Sequence, residues 1–142
     1  MSINVIKAVS KSNEQVTLQL RHVVITEATS KSCNNIKLLL KQTGYNCLVD
    51  CYKKSIELVE KESAYLPDCI IVEVRSLYSM FSLNKKIEAL FEAMPGIKLA
   101  LYYNMQRRYP LLEQKYLQYH QLYSNDDDNT QLKNLELLLR KP

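Results

Sequence analysis

The sequence predicts an α/β domain in which a parallel sheet is covered by helices on both faces. Three observations predict it. Short apolar runs rich in β-branched residues recur, clearest in Val23-Val24-Ile25 and Cys69-Ile70-Ile71-Val72, the composition of strands buried on both sides. Between such runs lie segments whose apolar residues repeat at helical spacing. The two kinds of segment alternate along the chain, the order that builds βαβ units. With 142 residues, the chain suits one domain able to bury its own core.

The elements follow in order. Residues 3–9 and 15–20 read as extended, separated by the polar Ser10-Lys11-Ser12-Asn13, which gives residues 1–20 as an N-terminal β-arm or hairpin. In the second segment Val16, Leu18 and Leu20 alternate with Thr17 and Gln19, the period of a half-buried strand. Val23-Val24-Ile25 then opens the main domain, residues 21–142. Thr29-Ser30-Lys31-Ser32 offers an N-cap, Ile36, Leu39 and Leu40 continue at helical spacing, and Gly44 suits a C-cap. Residues 45–49 read as a second strand and residues 55–62 as a short helix with Ile56 and Val59 on one face. Leu66-Pro67-Asp68 breaks that helix ahead of the strand 69–72, which ends at Glu73-Val74-Arg75. Leu83, Ile87, Leu90 and Phe91 mark a helix closed by Met94-Pro95-Gly96, and residues 97–102 form the next strand. Pro110 suits a first helical turn, where its missing N–H is no loss, and its helix runs through Leu111, Leu112, Tyr116 and Tyr119. Gln121-Leu122-Tyr123 is a last strand, and the acidic turn 125–129 precedes a final helix through Leu132, Leu135, Leu138 and Leu139.

Composition removes several function classes. Only Gly44 and Gly96 occur, whereas a phosphate-cradling loop needs clustered glycines so that backbone N–H groups reach the anion. A net charge of +4 is too mild and scattered to require nucleic acid. Lys7, Lys11 and Glu14 interrupt any apolar leader, and no run approaches the ~20 residues of a membrane span, so a cytoplasmic protein without membrane contact is expected. Cys33, Cys47, Cys51 and Cys69 are enough for two disulfides or a metal site. They lack a CxxC pair and have only His22 and His120 to help, so reduced thiols and no metal are expected.

Two stretches carry a family likeness. Leu66-Pro67-Asp68-Cys69-Ile70-Ile71-Val72-Glu73-Val74-Arg75 resembles the phosphoacceptor strand "xPDxxxxDxR" of bacterial response-regulator receiver domains. Met94-Pro95-Gly96-Ile97-Lys98-Leu99-Ala100-Leu101-Tyr102-Tyr103 is similar to the "xPxxxxxxxT" fourth strand of the same family. The likeness covers about 120 residues, from Arg21 to Arg140. It implies a flavodoxin-like (CheY-like) doubly wound five-stranded parallel sheet.

Receivers hold magnesium with an acidic pair, accept phosphate on an aspartate, and read it with a Thr or Ser and a lysine. Carried over by position, the acidic pair falls on Glu27-Ala28, or on Thr26-Glu27 with a one-residue shift. The acceptor falls on Glu73, the Thr/Ser on Tyr103, and the lysine near Ser124 or Asn125. Every position departs from the pattern. Losing half the acidic pair weakens a magnesium site. The extra methylene of Glu73 misplaces an attacking oxygen by about 1 Å, enough to cost on the order of 10²-fold. Without the lysine a transferring phosphoryl group loses a stabiliser. No catalytic residue and no cofactor are expected.

Two readings of Glu73 follow. It imitates a phosphorylated aspartate, so that Glu73→Ala changes partner affinity and leaves folding intact, or it is a solvated carboxylate. There are ten tyrosines and no tryptophan, and six of them, Tyr102, Tyr103, Tyr109, Tyr116, Tyr119 and Tyr123, concentrate in the C-terminal third. Tyr109, Tyr116, Tyr119 and Tyr123 there suit either core packing or a surface for a protein partner or a homodimer. Arg107-Arg108 with Lys98 and Lys115 reads as a solvated face, so any nucleic-acid contact is indirect. Asp126-Asp127-Asp128 lacks the alternation of a calcium loop and reads as a helix start. The leading expectation is a non-catalytic pseudo-receiver in two-component signalling or transcriptional regulation. The alternatives are the regulatory half of a DNA-binding response regulator and a small flavodoxin-like enzyme or ligand-binding module.

Overall fold

Every side chain of the strand Cys69–Val74 is buried, and this strand is the middle of the sheet. The structure, a computed structural model, describes residues 20–60 and 66–141. Its strands are β1 (Leu20–Thr26), β2 (Asn46–Tyr52), β3 (Cys69–Val74), β4 (Lys98–Tyr103) and β5 (His120–Tyr123). They lie in the order β2-β1-β3-β4-β5, all parallel. The helices are α1 (Ser30–Lys41), α2 (Ser55–Glu60), α3 (Leu77–Ala93), α4 (Pro110–Glu113, continued by the 3-10 turn Gln114–Tyr116) and α5 (Asp128–Leu139). This is the doubly wound five-stranded sheet that the alternation predicts. The expected N-terminal arm lies outside the described residues, except Leu20, which starts β1.

Alternation along each strand sends side chains to two cores. Val23, Ile25, Ile71, Tyr102 and Leu122 meet Ile36 and Leu40 of α1 and Leu135 and Leu138 of α5. Val24, Ile70, Val72, Leu101 and Tyr103 meet Leu83, Ile87 and Leu90 of α3 and Tyr116 below α4. Each fully buried aliphatic side chain removes enough apolar surface from water to contribute roughly 1.5–3 kcal/mol. Two cations tie the last helix to the N-terminal end of the sheet. Arg21 Nε donates to the Leu139 carbonyl at 2.7 Å. Lys98 Nζ donates to the carbonyls of Leu138 and Arg140 at 2.9 and 2.6 Å. Positive charge at a helix C-terminus has the favourable sign for the helix dipole.

Several boundaries differ from expectation for identifiable reasons. Helix α3 begins at Leu77, six residues before the apolar repeat starts at Leu83, because Ser76 caps it by accepting from the Ser79 N–H at 3.1 Å. Its first turns present Tyr78 and Phe81 to solvent, which hides the amphipathic pattern. Helix α4 stops at Glu113 rather than running to Tyr119, since Glu113 turns inward and is buried. In α2, Ile56 is exposed, and Leu58 packs on the core in its place. The acidic run works as a helix start: Asp127 caps α5 by accepting from the Thr130 N–H at 2.8 Å.

Candidate functional site

The C-terminal ends of β1, β3, β4 and β5 converge beside the first turn of α1, where a cleft of about 590 Å³ opens between α1 and α5. Thr29, Lys31, Ser32, Arg75, Asn104 and Ser124 line it. At its base is Glu73, only 2% exposed. Glu73 Oε2 accepts from the Ser32 hydroxyl at 2.7 Å and from the Asn104 amide at 2.8 Å. Its Oε1 accepts from the Thr29 N–H at 3.3 Å. Thr29 is the N-cap of α1 and accepts from the Ser32 N–H at 3.1 Å. Helix α1 has no acidic residue in its own first turn, so Glu73 supplies across space the negative charge that a helix N-terminus favours.

Glu73 is therefore not the solvated carboxylate of the simpler reading. A carboxylate offers about four lone-pair positions, and three donors already engage this one. Glu27 stands apart from it. Its backbone takes φ 60°, the left-handed region that a non-glycine residue adopts at a cost of roughly 1–3 kcal/mol unless its surroundings fix it. The fixing contacts point to the opposite face of the sheet. Glu27 Oε1 pairs with Lys86 Nζ of α3 at 2.8 Å, and Oε2 accepts from the Ser55 N–H that opens α2. Burial pushes the Glu27 carboxyl up, but Lys86 and the Ser55 contacts outweigh it and leave the group below its ordinary value. Ala28 is buried among the α1-side core residues, and Thr26 faces the Ser55 hydroxyl at 3.2 Å.

The positions carried over from the receiver pattern are thus divided. Glu73, Ser124 and the α1 cap gather at the cleft, whereas Glu27 and Tyr103 do not. Tyr103 is buried on the α3 side, its ring stacked on Tyr123 with centroids 5.3 Å apart. The residue that reaches Glu73 is Asn104, just past the end of β4, one position beyond Tyr103 and of the same parity as Tyr102. Asn125 faces elsewhere and donates to the Met105 carbonyl at 3.2 Å. Magnesium in the receiver manner does not fit these residues, since Glu27 is committed to an ammonium group and Glu73 to three donors. Among the described residues no three His, Cys, Asp or Glu side chains gather as a metal site. A direct check is available at Glu27. Lys86→Gln should raise its pKa, because burial then faces only the Ser55 contacts, and an NMR pH titration of the Glu27 carboxyl carbon reads the shift.

On the α3 side of the sheet, Arg108 folds back over the Tyr123 ring, 3.8 Å from its centroid, and forks onto buried Glu113 through Nε and Nη2. Glu113 also accepts from the Tyr109 N–H at 2.9 Å. Lys98 and Arg108 are thus engaged internally, so the set read from sequence as a solvated face is solvated only in part. Of the tyrosines considered for an interface, Tyr116 is buried, and Tyr109, Tyr119 and Tyr123 are half-buried against the α3-side core. The large apolar side chains left exposed nearby are Phe81, Leu111 and Leu117.

The cysteines do not all stay thiols. Cys33, in the first turn of α1, and Cys51, on β2, form a disulfide with their Cα atoms 6.6 Å apart, while Cys47 and Cys69 are free. This overturns the expectation of four reduced thiols, for the pair is made by packing α1 on the edge strand across 18 residues.

Comparison with solved structures agrees on the architecture. A response regulator receiver protein from Pseudoalteromonas atlantica superposes with TM-score 0.64 at 7% identity, over 83% of this chain and 96% of that one. The chain has the receiver fold. A receiver protein from Sinorhizobium medicae WSM419 gives TM-score 0.59 at 12% identity, covering 86% and 96% of the two chains. The pilus assembly protein CpaE from Caulobacter crescentus CB15 gives 0.63 at 12% identity, covering 83% and 92%. No protein-family model and no curated protein matches the sequence. No helix of this receiver-like domain, among the described residues, is long and apolar enough to cross a membrane.

Proposed function

We propose that the chain is a non-catalytic, phosphorylation-independent receiver-like module of the cytoplasm, acting in signalling or transcriptional regulation by contacting protein partners. The observation that carries this reading is the state of Glu73. At the acceptor position stands a buried carboxylate that already accepts from Thr29, Ser32 and Asn104. To attack a phosphoryl group it would have to break these bonds, and among the described residues no cation is bonded to it to offset the incoming charge. As a standing anion under the α1 cap, Glu73 holds the cleft in one state. Residues 21–142 form the regulatory unit. Its output is contact with a protein, a second copy of the chain included, through the C-terminal third. Exposed Leu111 and Leu117 support that surface, and Phe81 and Leu112 share a groove beside it.

Incubation with acetyl phosphate and magnesium, followed by intact mass spectrometry, tests the reading. The expected result is an unchanged mass for the full chain. A stoichiometric gain of one phosphoryl group that disappears in Glu73→Gln would overturn it.

A further inference from the structure

The Cys33–Cys51 bond joins the very turn that holds Glu73 to the outermost strand of the sheet. We propose that Cys33 and Cys51 form a reversible thiol–disulfide site, opened by small thiols of the glutathione class, whose state sets how firmly the first turn of α1 is held against Glu73. The inference rests on the phosphate-free reading above, and it supplies the input which that reading leaves open.

Geometry and accessibility both favour exchange. The Cα separation of 6.6 Å lies within the span, roughly 4.4–6.8 Å, that a disulfide bridges without backbone movement. The two sulfurs sit in unlike places. Cys33 is only 4% exposed, whereas Cys51 is exposed on a strand that, among the described residues, lies at the sheet edge and pairs with β1 alone. An incoming thiolate therefore reaches Cys51 Sγ. Attack there makes Cys33 the leaving sulfur, in the first turn of α1 with its N–H bonded to the Thr29 carbonyl at 3.0 Å. Burial pushes the Cys69 thiol up to about 12 and raises that of Cys47, so neither is a ready competing thiolate at neutral pH.

The chemistry balances in two exchanges. A small thiolate attacks Cys51 Sγ; the Cys33–Cys51 bond breaks as the mixed disulfide forms, and Cys33 leaves with the electron pair. A second small thiolate attacks the small-molecule sulfur of the mixed disulfide, releasing Cys51 and the oxidised small disulfide. Both cysteine thiolates take up protons, and two electrons have passed from two small thiols to the protein. In the reverse direction an oxidised small disulfide closes the bond.

Coupling to the cleft runs through one peptide bond. Ser32 donates to Glu73 at 2.7 Å, and Cys33 follows it directly. Closed, the disulfide ties this turn to β2. Open, the turn rests on its Thr29 cap and on Glu73.

The full chain, equilibrated over a range of reduced-to-oxidised glutathione ratios, is alkylated, peptide-mapped and followed by amide hydrogen exchange. Cys33 and Cys51 should become alkylatable together as the ratio rises, with residues 29–33 exchanging roughly tenfold faster in the reduced form and α3 unchanged. Cys51→Ser, at an exposed position, should show the fast exchange in every buffer. Two thiols that stay alkylatable at all ratios, a Cys33–Cys51 bond that resists every ratio, or exchange at residues 29–33 that ignores the redox state would each overturn the site. The phosphoryl-donor arm is read separately. Phosphorylated Glu73 in reduced or oxidised chain sinks the phosphate-free reading alone, and redox-indifferent exchange sinks the switch alone.

Discussion

Glu73→Ala is expected to lower unfolding stability by about 3 kcal/mol, measured by urea denaturation followed by circular dichroism. The substitution removes the shared acceptor of three donors, of which Ser32 is buried, Asn104 half-buried and Thr29 exposed at the cleft. A buried donor left without a partner costs roughly 1–3 kcal/mol. The sum is limited because the Asn104 amide already lies 3.2 Å from the Ser32 hydroxyl and can pair with it. Helix α1 also loses the negative charge that Glu73 brings to its first turn. Glu73→Gln should cost about half as much, since the amide keeps one acceptor oxygen and turns its NH₂ toward a donor. A loss below about 1 kcal/mol for Glu73→Ala would mean that the hydrogen bonds carry no net stability. The sequence-based expectation of an intact fold after this substitution is revised for the same reason: the carboxylate is part of the core's polar seam.

Arg108→Gln is expected to cost a further large amount, about 3 kcal/mol at neutral pH, because it strands a buried carboxylate with the Tyr109 N–H as its remaining partner. The pH dependence gives it a signature. The Arg108 guanidinium holds the Glu113 carboxyl below its ordinary 4.5, with burial opposing and the Tyr109 N–H assisting. Because the folded value is depressed, the pair's stability is fully present above pH 4.5 and is lost as pH falls through the lowered value. Wild-type and Arg108→Gln stability curves should therefore lie apart at neutral pH and converge in acid. Parallel curves across the acid range would refute the pairing. His120 acts in the same direction: burial, with the charge of Lys98, depresses its value, so acid also charges a histidine that the fold prefers neutral.

The sheet was readable from sequence wherever a strand is buried on both faces. Cys69-Ile70-Ile71-Val72, fenced by Pro67-Asp68 and Arg75, could hardly be anything else. The ends of β1 and β2 were less clear, because Leu20 and Leu48 are exposed and half of each edge side chain faces water. The start of α3 was hidden by outward-facing Tyr78 and Phe81, and the early end of α4 by Glu113, a charged residue that only its partner Arg108 allows inside. At the cleft, counting along the motif leads to Tyr103, whereas strand parity selects Asn104: β4 residues facing Glu73 share the parity of Tyr102. That signal was present in the alternation of the strand. Ser32 was equally accessible as the third residue of a Thr-capped helix. The Cys33–Cys51 pair was not, since nothing local links a helix's first turn to the next strand's end.

The Arg21 and Lys98 anchors have a broader consequence. They clasp the closing helix at the foot of the strands, a sheet's length from the cleft, and share no partner with Glu73. Energies at such distant, unconnected places combine additively. The foot of the molecule is thus a mechanical base, where robustness can be raised or lowered without disturbing the head. A lineage drifting in thermal tolerance has somewhere to adjust that leaves the cleft alone.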